Sequence, residues 1–271
     1  MNPIIRKKVT VAGKPDAERT MIFSHGLGTD QSVWRDIWPA FANDFRIVLY
    51  DHAGAGESDP EAFVQHRYLK LASYATDLLD ICASLALRSV ILVGHSMGAM
   101  INMLAAIQQP ERFIELILIG ASPRYLDDDN YHGGLTKPGI DAIYRAMYDN
   151  RDAWANEFTR VAVGKDDSTD FARRFAATLK SIPEDRLLTV ASTVFQSDHR
   201  ADLPKIVTPT LIIQASHDFI VPMDVANYLH THIKGSRLCI IEAEGHLPHV
   251  TAPAEVVRTI RSNSFAIAGG G

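Results

Sequence analysis

The stretch Val90-Ile91-Leu92-Val93-Gly94-His95-Ser96-Met97-Gly98, running on through Ala99–Ile107, decides how the rest of the chain is read. Val90–Val93 is a continuous apolar run, as expected of a strand covered on both faces. Ala99–Ile107 is apolar nearly all round apart from Asn102, which suits a helix enclosed by neighbours, and Pro110 stops it. Between the two lies the pattern G-x-S-x-G. A chain this long contains it by chance roughly once in ten tries at average Gly and Ser usage. With a strand directly before and a helix directly after, it describes a strained turn that lifts Ser96 above the sheet. A small residue two positions away on either side lets neighbouring backbone pass close to the serine. The alternative is a serine that merely caps a helix beside two packing glycines.

Outward from this point, short apolar runs alternate with amphipathic stretches, the pattern of a mostly parallel sheet with helices on both faces. About seven strands are predicted, at Lys8–Val11, Met21–Ser24, Arg46–Tyr50, Val90–Val93, Leu116–Ile119, Thr210–Gln214 and Leu238–Ile241. The helix near Leu69–Ala86 places Leu71, Ala75, Leu78, Cys82 and Leu85 on its packed face and Lys70, Ser73, Asp77, Asp80 and Ser84 on the other. From Pro123 to about Gln196 the strand signal gives way to helical spacing. Four helices are expected there, carrying Ile140–Met147, Trp154–Val161, Phe171–Ile182 and Leu187–Phe195, with Pro138, Pro183 and the Ser168–Thr169 pair as helix starts. Asp127–Gly134 and Gly164–Asp167 read as loops, and Gly269–Gly271 as a disordered tail. The organisation is an α/β core of residues 1–122 and 197–271 with a helical lid of residues 123–196 inserted into it.

The 271 residues carry 27 Lys and Arg against 32 Asp and Glu, a net charge of −5, without a basic cluster. That disfavours nucleic acid and anionic membranes as partners. Met1–Ala12 lacks the apolar run of a signal peptide, and no window is long and apolar enough to span a membrane. Cys82 and Cys239 lack metal or redox spacing and read as free thiols in a reducing, cytoplasmic setting.

A serine hydroxyl is a weak nucleophile and needs a base within hydrogen-bond reach and an acid that orients the base. In this architecture they follow in the order Ser, Asp or Glu, His, on loops after later strands. Asp218 falls just past Thr210–Gln214 and His246 just past Leu238–Ile241, so these two are assigned. Asp224, His249 and His217 compete, but each reads better as a surface or capping residue. Ser24-His25-Gly26-Leu27-Gly28 is a glycine-rich turn after a strand that can aim the Leu27 N–H at an oxyanion, with Met97 N–H as the second donor. It also reads as an ordinary tight turn. Tyr50–Ser58 lacks the ending of a phosphate loop and is taken as a structural turn. His230 and His232 are two apart and cannot share a helix face as zinc ligands, so no metal or other cofactor is expected.

With these residues in hand, the chain resembles the α/β-hydrolase superfamily. More narrowly it is similar to the group of the bacterial regulator RsbQ and the plant strigolactone and karrikin receptors. The narrower resemblance rests on His25–Trp34, Ser122-Pro123-Arg124-Tyr125-Leu126, Tyr131-His132-Gly133-Gly134, Ser197-Asp198-His199-Arg200 and Glu244-Gly245-His246-Leu247-Pro248-His249. It implies a V-shaped four-helix lid over an apolar pocket and puts Ser96, Asp218 and His246 on the triad positions. By the same resemblance His25, Leu135, Trp154, Phe158 and Phe195 line the pocket, although the aromatic ones read equally as lid core. Members commonly carry Phe where this chain has Leu27 and Leu135, and Val where it has Met97. The reading is a serine hydrolase for a small apolar ester or lactone, such as a butenolide, which by the resemblance serves in signalling as an RsbQ-like regulator. A ligand receptor with slow hydrolysis, partnered in bacteria by a sensor-domain phosphatase, stands as the alternative, as does a metabolic carboxylesterase.

Overall fold

The computed structural model describes residues 2–164 and 169–268. Seven strands form one sheet: β1 (Thr10–Gly13), β2 (Thr20–Ser24), β3 (Arg46–Leu49), β4 (Val90–His95), β5 (Phe113–Ile119), β6 (Thr210–His217) and β7 (Arg237–Glu244). Their order is β1-β3-β2-β4-β5-β6-β7. Only β1 runs antiparallel, against β3; every other pairing is parallel. From β2 the chain moves outward to β3 and then returns to the other side of β2 as β4. The C-terminal ends of β2 and β4 therefore flank the switch point where open α/β sheets hold their ligands. Ser96 and Leu27 follow those two strand ends.

The helix Met97–Gln108 is buried from Met97 to Ala106, as its all-round apolar sequence requires. Helix Leu71–Ser84 packs against it. One residue of that helix departs from the amphipathic reading. Asp77, expected on the solvent face, is buried with Lys7, whose ammonium donates to its carboxylate at 2.5 Å. Tyr68 and Arg67 donate to the same group at 2.8 and 2.6 Å. A long-range ion pair overrides the helical period here, because a carboxylate accepts burial once its lone pairs are filled. The first strand begins later than the apolar pattern suggests. Pro3–Arg6 forms a helical turn and Lys8 has φ 46°, so extended pairing starts only at Thr10.

Between β5 and β6 stand four helices: Lys137–Asp149, Arg151–Val163, Asp170–Ser181 and Glu184–Phe195. Thr136, Asn150 and Thr169 cap the first three, accepting from Gly139, Ala153 and Ala172 amides. Ser168, Lys165–Asp167 of the expected loop and the Gly269–Gly271 tail lie outside the described residues. At the base of the four-helix segment its two ends are tied together. Arg124 pairs with Asp198 at 2.7 Å, and Arg200 bridges Asp198 and Asp128 at 2.8 Å each.

Candidate active site

At the bend after β4, Ser96 adopts φ 51°, ψ −117°, a conformation non-glycine residues rarely take. Crowding on both sides holds it there. A Cβ at Gly94 would lie 2.6 Å from Asn102 Nδ2 and 2.7 Å from Ala99 Cα, and one at Gly98 would overlap the Ser24 and His25 carbonyl oxygens. The G-x-S-x-G spacing is thus a statement about backbone passing at contact distance. The Ser96 N–H donates to Ile119 O at 2.9 Å, locking the bend to β5.

The loops after β6 and β7 bring two further side chains to this point. His246 Nε2 lies 2.9 Å from Ser96 Oγ, and His246 Nδ1 lies 2.8 Å from Asp218 Oδ2. The Asp218 side chain is 1% exposed and fully engaged. Its Oδ1 accepts the Ile220 and Val221 amides at 2.8 and 3.0 Å, and Oδ2 accepts Gln214 Nε2 at 3.1 Å. Such a carboxylate turns its remaining lone pair toward Nδ1, so that nitrogen carries the proton and Nε2 accepts from Ser96. The backbone of His246 is held from two directions. Its N–H donates to Ala162 O on helix Arg151–Val163 at 2.7 Å, and its carbonyl accepts from His95 Nε2 at 2.7 Å.

The competing residues are placed differently. His217 and Asp224 are exposed. His249 is not the surface or capping residue expected: it is fully buried, stacked on Trp34 with ring centroids 4.5 Å apart and 4.4 Å from His95. Burial drives its pKa down to about 3. Burial also takes His95 well below the usual imidazole range, so both rings behind His246 stay neutral.

Leu27 sits in the loop after β2, and this loop packs on the bend through Gly26 against His95 and through the His25 carbonyl against Gly98. Met97 opens its helix, so its N–H has no intrahelical acceptor. Over Ser96 is a pocket that Leu27, Tyr125, Phe158, Phe175, Phe195 and Ile220 help to line. Phe158 and Phe195 stand in the wall of this pocket; the other residues expected to line it are His25, Leu135 and Trp154. His25 faces an adjoining cavity and accepts the His52 N–H on Nε2 at 3.0 Å. Leu135 lies in the segment before the four helices, where its N–H donates to Tyr125 O at 3.0 Å. Trp154 is buried in helix Arg151–Val163, its ring stacked on that of Phe158 with centroids 5.2 Å apart.

Sequence reasoning missed Tyr125. Its hydroxyl is 3.2 Å from Ser96 Oγ, and because Ser96 donates to His246, Tyr125 donates to Ser96. Burial pushes its pKa up to about 12, so it remains a donor. Only the segment Ser122–Leu126 after β5 pointed to it, and that segment carries no periodicity that would turn one side chain inward. Among the described residues no group of three His, Cys, Asp or Glu is arranged to hold a metal ion.

A parallel sheet with a strained serine at its central strand end defines a class, and residues 19–253 match the family model described as alpha/beta hydrolase fold. The chain belongs to that family. Within it, the chain is 44% identical over 248 residues to strigolactone esterase RMS3 of Pisum sativum, covering 91% of this chain and 92% of the relative. It is 39% identical over 250 residues to karrikin insensitive 2 receptor IA of Petunia hybrida, covering 92% and 91%. Among solved structures, a hydrolase from Oleispira antarctica superposes with a TM-score of 0.92 at 28% identity, over 96% of this chain and 94% of that one. The resemblance to the strigolactone and karrikin receptor hydrolases extends over nearly the whole chain.

Proposed function

We propose that the protein hydrolyses a small apolar ester or lactone with Ser96 as nucleophile, His246 as general base and acid, and Asp218 as the group that orients the imidazole. The observation that carries this is the unbroken hydrogen-bond chain from Asp218 Oδ2 through His246 to Ser96 Oγ, at 2.8 and 2.9 Å. Ser96 attacks the carbonyl carbon as His246 Nε2 takes its proton. The C–O bond to the leaving group then breaks while His246 returns the proton to that oxygen, and a water activated by the same ring releases the acyl group. The Leu27 and Met97 N–H groups receive the oxyanion. Tyr125 steadies Ser96 Oγ before attack. The pocket over Ser96 is walled largely by apolar side chains, among them Leu27, Phe158, Phe175, Phe195 and Ile220, which favours a small apolar ester or lactone. Ser96→Ala should abolish turnover of para-nitrophenyl acetate, and intact mass should show an acyl adduct in the wild type only. Undiminished turnover by the variant defeats the assignment.

A second reading is favoured by the His246 N–H to Ala162 O bond, which ties the base's loop to a lid helix. A lid that must part to admit a ligand, and that grips this loop, can report occupancy on the outer surface. The relatives named as receptors support this signalling role. A sensor-domain phosphatase is the bacterial partner suggested by resemblance. Slow turnover with a ligand-dependent rise in Tm supports the receptor role; fast turnover without such a rise supports a metabolic esterase. The two free cysteines accord with a cytoplasmic setting.

A further inference from the structure

Next to the Ser96 pocket lies a second, largely apolar cavity. Leu27 lines both spaces, and Met97 lines the second. Helix Glu184–Phe195 runs along both cavities, with Val194 over the first and Leu187 and Val190 over the second. Its rise puts Arg186 about 12 Å along the axis from Val194.

Two residues of this largely apolar lining, Tyr74 and Arg186, carry polar groups without a polar partner among the described residues. Tyr74 is 1% exposed, and its hydroxyl has no hydrogen-bond partner. Arg186 lies over Gly54, which it crowds at 2.9 Å from a would-be Cβ, and stacks on Phe63 at 5.1 Å. Among the described residues it has neither a hydrogen bond nor an ion pair. Carboxylates do line the outer groove beyond it, but each is engaged. Asp51 accepts the Gln31 and Glu57 amides, Glu57 pairs with Lys8, and Asp30 accepts the Ser32 amide. An unpaired guanidinium and an unpaired, buried hydroxyl in the lining of one cavity make a donor set for an anion, and an anion meeting them gains charge-assisted hydrogen bonds.

Resting on the ester-hydrolase reading above, we infer that this cavity is an acyl-arm subsite for an ester whose acyl chain ends in a carboxylate, held by Arg186 and Tyr74, with Leu27 and Met97 as the partition that the chain passes. The direction follows from the chemistry. The leaving group must face His246 to receive its proton, so the other substituent on the carbonyl carbon points away from His246, toward Leu27 and helix Glu184–Phe195.

The test compares para-nitrophenyl monoesters of straight-chain diacids, succinate through suberate, with alkanoate esters of equal length ending in methyl. At one chain length the wild type should favour the carboxylate-ended ester in kcat/KM. Arg186→Gln should lower that preference by about tenfold or more, the loss of a hydrogen bond to a charged group. Tyr74→Phe should lower it less. Leu27→Phe, which thickens the partition without changing charge, should erase it. Methyl-ended esters favoured at every length, or a ratio unchanged by Arg186→Gln in a folded variant, overturns the inference. If the wild type cleaves neither series, the ester-hydrolase reading fails by itself. The same ratio is then read by calorimetric binding of the corresponding para-nitroanilides, where equal affinity of wild type and Arg186→Gln for the carboxylate-ended anilide overturns the subsite.

Discussion

Replacing Asp218 with Asn alters one atom of a side chain that the fold holds in a single orientation. Its Oδ1 accepts two backbone amides, from Ile220 and Val221. The Asn oxygen must keep that place, because turning the amide over would set its NH₂ against both donors. The NH₂ then faces His246 Nδ1, now 2.8 Å from a carboxylate oxygen. An NH₂ donates, so Nδ1 must accept, and the ring proton moves to Nε2, where it points at Ser96 Oγ 2.9 Å away. A ring in that tautomer cannot take the serine proton. The expected loss in kcat is about 10⁴-fold, the size seen when a triad imidazole is forced into the wrong tautomer, or about 5 kcal/mol of barrier. Stability should fall by only about 1 kcal/mol, since the Gln214 contact alone is disturbed. Initial rates with para-nitrophenyl acetate near pH 8, alongside Tm and circular dichroism, measure both effects. A folded variant retaining activity within tenfold of wild type would refute the view that Asp218 sets the imidazole tautomer and that His246 is the base.

Gly98→Ala adds a methyl between two backbone carbonyls, at Ser24 and His25, that no rotamer change can move. Unfolding in urea should show a loss of about 1–3 kcal/mol, and displacement of the Leu27 loop should lower kcat about 100-fold. Asp77→Ala leaves the buried Lys7 ammonium without its counter-charge, and urea unfolding should report a loss of at least about 3 kcal/mol. His249 has a folded pKa near 3, below its ordinary value of 6.5. It therefore contributes stability that is present above pH 6.5 and is lost as pH falls toward 3, because the unfolded chain takes up the proton first. His249→Phe should keep the Trp34 stack and flatten that dependence, losing about 2 kcal/mol less than wild type between pH 7 and pH 4.5 in urea titrations. Equal acid sensitivity in the two proteins would contradict it.

Much of this molecule was legible before any coordinates. Each of the seven predicted runs overlaps one of the seven strands, most closely in the central strands β2 to β6, whose cover on both faces demands apolar side chains, while the edge strands β1 and β7 are mostly exposed or half-buried. The glycine spacing around Ser96 announced a close backbone approach that the positions of Ser24, His25 and Ala99 explain. Asp218 and His246, chosen for lying just past strand ends, stand within hydrogen-bond distance of each other, and His246 of Ser96. Where local pattern and long-range contact disagreed, the contact won. Asp77 obeyed the helical period and was still buried, since its partner Lys7 lies seventy residues away in the chain. His249 looked like a polar loop residue, yet it is stacked between Trp34 and His95. Tyr125 carried no motif, and its reach to Ser96 depends on how the segment before the lid folds back. Sequence by itself determined which backbone shapes this chain can take, because strand burial, helix caps and glycine crowding act over a few residues. Tertiary structure alone decided which side chains share a space, because a pocket wall such as Leu27, Phe158 and Phe195 is assembled from loops and helices whose meeting no local rule encodes.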